Sequence, residues 1–145
     1  FSIFASEQLD ELAEPEPAPE NFASRLEALR RRTGRRPENA PGSYLSLLKK
    51  GLGFKERISK EKFQKTLAPL ADELLDIFPI LDEKQERALL PYLLEYFLFI
   101  NDQKSLDILR EYTDIVTPEY RAEVEKNCTK QAAEAFRAVF PEVKK

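Results

Sequence analysis

Apolar side chains recur at helical spacing over most of this chain. From Ser59 onward, Phe63, Leu67, Leu70, Leu74, Ile77 and Phe78 fall three or four residues apart up to Pro79, which places them on one face of a long helix. Pro69 lies inside that run. Its ring meets the carbonyl of Lys65 and it has no N–H, so a kink or a restart is predicted there. Asp82 and Gln85 have capping-box spacing and open the next helix. The stretch from Ala88 to Ile100 is apolar on nearly every side, the pattern of a buried central helix, with Pro91 bending it or marking its first turn. Asn101-Asp102 caps a third helix, with a narrower seam through Leu106, Leu109, Tyr112 and Val116. Thr117-Pro118 pairs a cap residue with proline at the first helical position. One last helix is predicted from there, through Tyr120, Val124, Cys128, Ala132, Ala135 and Phe136 to Val139.

The first half of the chain is less regular. Helix signals resume at Asn21, where Phe22, Leu26 and Leu29 mark a stripe, with Ser24 and Glu27 at capping-box spacing and Gly34 as the stop. After a loop at 35–42, Ser43 is the predicted cap of a short helix carrying Tyr44, Leu45, Leu47 and Leu48. Gly51 and Gly53 close it, and Lys49 and Lys50 stand at the end where the helix dipole favours cations. Period-two alternation and hairpin turns are nearly absent. The predicted fold is therefore all-α: an antiparallel helical bundle or short solenoid-like stack of five to six helices, with an extended N-terminal arm. Helix starts near 59, 82, 102 and 118 are unevenly spaced, which gives no repeat period.

The arm itself has two parts. Phe1 to Ala13, with Ile3, Phe4, Leu9 and Leu12, is enough for a short amphipathic helix that needs a surface to lie on. Glu14 to Glu20 alternates proline with acid or alanine and reads as a stiff, extended linker. Three sections follow from this reading: an acidic arm and linker at 1–20, a basic helical hairpin at 21–58 and a helical core at 59–145. The chain opens Phe1-Ser2-Ile3-Phe4 without Met, which is expected of a processed form or a segment of a larger protein or assembly. The longest apolar run, Ala88 to Ile100, spans 13 residues where a membrane helix needs about 20, so no transmembrane segment is predicted. A single cysteine leans towards a reducing, cytoplasmic compartment.

Composition narrows the chemistry. There is no His, Met or Trp and only one Cys, which removes the usual neutral-pH base, His-based zinc sites, thiolate clusters and any disulfide within the chain. Phosphate-loop, dinucleotide-glycine and nucleophile-elbow patterns are absent, and none hides among four glycines. Asp72, Glu73 and Asp76 share a helix turn but read as a solvated face, and Cys128 as a small core thiol. No catalytic residue, metal or cofactor is assigned.

Charge is the more informative property. The net charge of −3 resolves into −6 over residues 1–24, +9 over 25–65 and −6 over 66–145. The basic section holds Arg30, Arg31, Arg32, Arg35 and Arg36 around Gly34, and continues through Lys49, Lys50, Lys55, Arg57, Lys60, Lys62 and Lys65. Guanidinium clusters of this kind bind phosphate in forked hydrogen bonds, or face acids of a protein surface. Aromatics for stacking on single-stranded bases do not interleave with the arginines, so a solvated or protein-facing surface is the leading expectation and nucleic acid the alternative. Arg30, Arg31, Arg32, Arg35, Arg36, Lys49 and Lys50 are thus candidate anion or partner contacts. Tyr92, Tyr96, Phe97 and Phe99 are a second candidate: an open stripe for a partner's apolar helix, unless the helix is wrapped on all sides. Glu95 is the exception within that apolar stretch and needs water, a cation or a tyrosine hydroxyl. The expected function is a non-enzymatic helical interaction or scaffold domain, with a protein partner or a second copy of itself.

Overall fold

The computed structural model describes residues 18–142 and builds them from seven α-helices joined by short turns, with no strand among the described residues. In order these are α1 (Phe22–Arg32), α2 (Pro41–Leu52), α3 (Lys60–Ile77), α4 (Glu83–Phe99), α5 (Gln103–Arg110), α6 (Pro118–Asn127) and α7 (Lys130–Val139). The all-α prediction is what the structure shows. The amphipathic and proline-rich readings of residues 1–17 lie outside the described residues.

Helix α4 is the hub, packed against α2, α3, α5 and α7. Its near-continuous apolar sequence follows from that position: Leu89, Leu90, Leu93, Leu94 and Phe97 are all buried. Ala132, Ala133 and Ala135 give α7 a small-residue face that lets it lie close along α4. Buried residues from Phe22 to Phe140 belong to one apolar cluster, so α1 and α2 share the core of the later helices.

Local chemistry sets most of the boundaries. Asp82 and Gln85 form the reciprocal capping box that their spacing predicted, and Thr117 caps α6 ahead of Pro118. Asn101, at φ 60°, ends α4 as a left-handed residue, with the Asp102 N–H closing back on the Phe97 carbonyl at 2.9 Å. Asp102 then caps α5 through the Ser105 N–H.

Other expectations are corrected. Helix α1 starts at Phe22 after Asn21, where its signals resume, but Ser24 and Glu27 lie inside it and form no capping box; α2 starts at Pro41, whose missing N–H suits the first helical position, rather than at Ser43. Gly51 does not stop α2. It sits inside the helix because a Cβ there would lie 2.9 Å from Phe22 Cε1 and 3.1 Å from Leu67, so the glycine is a contact point between three helices. Helix α3 continues through Pro69 without restarting; the proline is exposed, where water can reach the Lys65 carbonyl it leaves unpaired. Pro91 is neither a first-turn residue nor exposed. It lies mid-way along α4 and deprives the Arg87 carbonyl of its donor, and the Tyr120 hydroxyl from α6 donates to that carbonyl at 2.6 Å. The predicted last helix is two helices. Cys128 is extended at the break, and Thr129 caps α7 by accepting from the Ala132 N–H.

Candidate functional site

Tyr92, Glu95 and Phe99 are three and four residues apart, which aligns them on one ridge of α4. Three lysines from other elements converge on it. Lys49, in the last turn of α2, holds its ammonium 4.8 Å from the centre of the Tyr92 ring. Lys55, in the turn Gly53–Glu56, and Lys60, the first residue of α3, lie 5.3 Å and 5.6 Å from the centre of the Phe99 ring. Ammonium groups over aromatic faces are held by the ring quadrupole. Lys55 Nζ also lies 2.6 Å from Glu95 Oε2, and these side chains are only 19% and 7% exposed, so the pair is largely withdrawn from water. This is how the single carboxylate of the apolar stretch from Ala88 to Ile100 is accommodated.

Between the ridge and α7 lies a cleft of about 260 Å³, walled by Lys49, Lys55, Tyr92 and Glu95 and by Thr129 and Gln131 at the α7 N-terminus. The Tyr92 hydroxyl is engaged by the Cys128 sulfur and the Thr129 backbone, and burial, with the nearby Cys128, pushes its pKa up to about 12. Burial also raises the Cys128 thiol, partly offset by the Tyr92 hydrogen bond and the Lys49 charge. Both groups are thereby moved away from neutral-pH proton transfer, and Tyr92 serves as a wall of the cleft. What the cleft offers a ligand is charge: the Lys49 and Lys55 ammonium groups and the positive end of α7, against the held Glu95 and the exposed Glu56, with Lys60 further along the ridge over Phe99.

The sequence had Lys49 in one candidate set and Tyr92 and Phe99 in the other. The structure joins them. Tyr92, Tyr96 and Phe97 are 5%, 1% and 0% exposed, so the wrapped-helix alternative describes them, and they line no open apolar groove. The Tyr96 hydroxyl donates to the Gln64 carbonyl of α3 at 3.2 Å, and Phe99 is half-buried beneath its two lysines. Lys55 and Lys60 were absent from the candidate sets. Their signal in the sequence was indirect: a lone Glu95 inside an apolar helix requires a cation, and Lys55 is the one the fold supplies.

The arginine elbow is a separate place. It lies at the N-terminal end of α2, whereas Lys49 and Lys50 lie in the last turn of that helix, about 13 Å away along its axis. Gly34 and Arg35, at φ 65° and 62°, turn the chain, and the Arg35 N–H closes on the Arg30 carbonyl at 2.7 Å. Glu27 sits among the arginines. Arg35 hydrogen-bonds it at 2.5 Å, and Arg30 and Arg31 each lie 3.7 Å from it. The Arg35 hydrogen bond, aided by these charges, holds its carboxyl below the usual range. Arg30 also donates to Glu73 of α3 at 3.0 Å, and Arg32 and Arg36 are exposed.

The chain matches no protein-family model, and neither the curated proteins nor the solved structures contain a significant match. No helix among the described residues is long and apolar enough to cross a membrane, and no group of three or more potential metal-ligating side chains occurs among them.

Proposed function

We propose that this chain is a helical protein-interaction domain whose lysine-lined cleft receives an acidic segment of a partner protein. The observation that carries the reading is the convergence of Lys49, Lys55 and Lys60 on the Tyr92–Glu95–Phe99 ridge. Each lysine comes from a different element, so the spacing of the charges is set by the fold. An incoming carboxylate finds ammonium groups already positioned, with part of their hydration replaced by ring faces and the cleft wall. The arginine elbow favours protein over nucleic acid as well. A phosphate seated there would face the Glu27 carboxylate, and three of its arginines already hold acids of the same domain.

Fluorescence anisotropy with a labelled 12-residue poly-glutamate peptide and a labelled 12-base-pair DNA duplex, each at low and high salt, tests this. Saturable, salt-sensitive peptide binding is expected. The double substitution Lys49→Gln and Lys60→Gln should weaken it by about fivefold or more, on the order of 0.5 kcal/mol per exposed charge contact. Lys104→Gln with Lys126→Gln, which removes the same charge elsewhere, should leave it nearly unchanged. Duplex binding that exceeds peptide binding and disappears on replacing Arg32 and Arg36 would instead establish a nucleic-acid function.

A further inference from the structure

We infer that the acid-rimmed apolar edge where the end of α3 meets the end of α5 docks a basic amphipathic helix of a partner protein. None of its residues lines the lysine-bearing cleft, so this is a second surface. Among the described residues the exposed large apolar side chains are Ile80, at 66%, Ile108, at 42%, and Leu98, and the first two belong to this edge. The Tyr112 ring packs edge-on against Phe78 with 4.7 Å between ring centres, which brings the end of α5 to the end of α3. Ile108 stands one turn before Tyr112, and Ile80 two residues past Phe78. Leu75, one turn before Phe78, and Tyr112 itself are only partly buried against the core, so the apolar surface extends over both helices.

The rim of this edge is acidic. Asp72 and Asp76 bracket Leu75 on α3, Asp107 and Glu111 bracket Ile108, and Asp82, Glu83 and Glu86 follow directly on Ile80. Arg110 pairs with Asp107 and Arg87 with Glu83. Other acids crowd one another. Burial raises the Asp72 carboxyl from its ordinary value, and the charges of Asp102 and Asp76 raise it further; burial, Glu83 and Asp82 do the same to Glu86. An arriving ammonium or guanidinium group relieves that repulsion.

Charge and exposure together select the occupant. A second copy using the same edge would set acid against acid. A second copy using its arginine elbow would bring no exposed large apolar side chain, and there Arg30, Arg31 and Arg35 already hold Glu27 and Glu73 of their own domain. An anionic lipid surface is repelled by the rim. What fits is a stripe of apolar side chains flanked by Lys or Arg, which an amphipathic helix presents at i, i+3, i+4 and i+7.

Fluorescence anisotropy on the full chain tests this with a labelled amphipathic peptide of Leu and Lys, about four helical turns long, and with its scrambled isomer. The amphipathic peptide should bind saturably and more tightly than the isomer. Ile80→Ser with Ile108→Ser should weaken it by about tenfold or more, because the two apolar anchors are lost. Asp76→Asn with Glu111→Gln should weaken it by about fivefold and reduce its salt dependence. Glu119→Gln with Glu123→Gln, the same change of charge at exposed positions of α6, should leave it nearly unchanged. Lys49→Gln with Lys60→Gln, which disables the cleft, should not weaken it. Equal binding of the two isomers, or equal losses from the α6 pair and the Asp76–Glu111 pair, would reduce the interaction to general attraction of opposite charges and overturn the inference. So would sedimentation showing that the natural chain self-associates while Ile80→Ser with Ile108→Ser stays monomeric, since the occupant is then a second copy.

Discussion

Removing Lys55 and removing Glu95 should not cost the same. The Glu95 carboxylate is anchored on the central helix with 7% of its side chain exposed, whereas Lys55 is 19% exposed, on a flexible stem in a turn beside an open cleft. In Lys55→Met the carboxylate is stranded among Tyr92, Tyr96 and the α2 end with no cation at 2.6 Å. Breaking a largely buried pair in this way costs about 3 kcal/mol, the lower end of the range for buried pairs because the cleft admits some water. In Glu95→Leu the lysine swings into solvent and keeps its contact with Phe99, and the loss should be about 1 kcal/mol or less. The double variant should resemble Glu95→Leu, recovering about 2 kcal/mol relative to Lys55→Met. Urea unfolding followed by circular dichroism reads these differences. With a slope of about 1.5 kcal/mol per molar urea, Lys55→Met shifts the midpoint down by about 2 M with the slope unchanged. Equal losses for the two single variants, or a double variant that loses the sum of both, would refute the reasoning that the carboxylate is the member the fold cannot solvate.

Other outcomes follow from the helix contacts and from the buried phenols. Tyr120→Phe should cost about 1–2 kcal/mol by leaving the Arg87 carbonyl without a donor, and clearly less in a Pro91→Ala background, where a backbone N–H is restored; a double-mutant cycle by urea unfolding measures the coupling. Gly51→Ala gains about 1 kcal/mol of helix propensity but forces a methyl to 2.9 Å from Phe22, so a net loss of about 1 kcal/mol is expected in the same assay. Tyr92, raised to about 12, binds its proton more tightly folded than unfolded, so stability is undiminished below pH 10 and falls as pH rises from 10 towards 12. Burial raises Tyr96 and Tyr120 in the same direction. Ultraviolet titration of the phenolates should therefore show a delayed class that titrates with unfolding, and full, reversible titration near pH 10 would contradict it.

Much of the fold was legible because it rests on local chemistry. The Asp82–Gln85 box, the Thr117-Pro118 start and the saturated apolar pattern of α4 each encode their element within a few residues. What was not legible depends on neighbours distant in sequence. Pro91 reads as a helix breaker until Tyr120, 29 positions on, supplies the missing donor. Gly51 reads as a stop until Phe22 and Leu67 are seen to need its space. The break at Cys128 was hidden because Val124 and Ala132 keep helical register on either side of it. The site divides in the same way. Glu95 announced that a cation was required, and the basic section contained the lysines, but only the fold brings Lys49 to Tyr92 and Lys55 and Lys60 to Phe99. The arginine run, most prominent in the sequence, is largely engaged with Glu27 and Glu73.

The most direct measurement is a two-dimensional amide NMR titration of the chain with poly-glutamate at low salt. The account predicts saturable shifts concentrated at Lys49, Lys55, Tyr92, Thr129 and Gln131, which frame the cleft, and at Lys60 beside Phe99. Shifts that centre on residues 30–36, or that spread evenly over every exposed lysine and arginine, would contradict it.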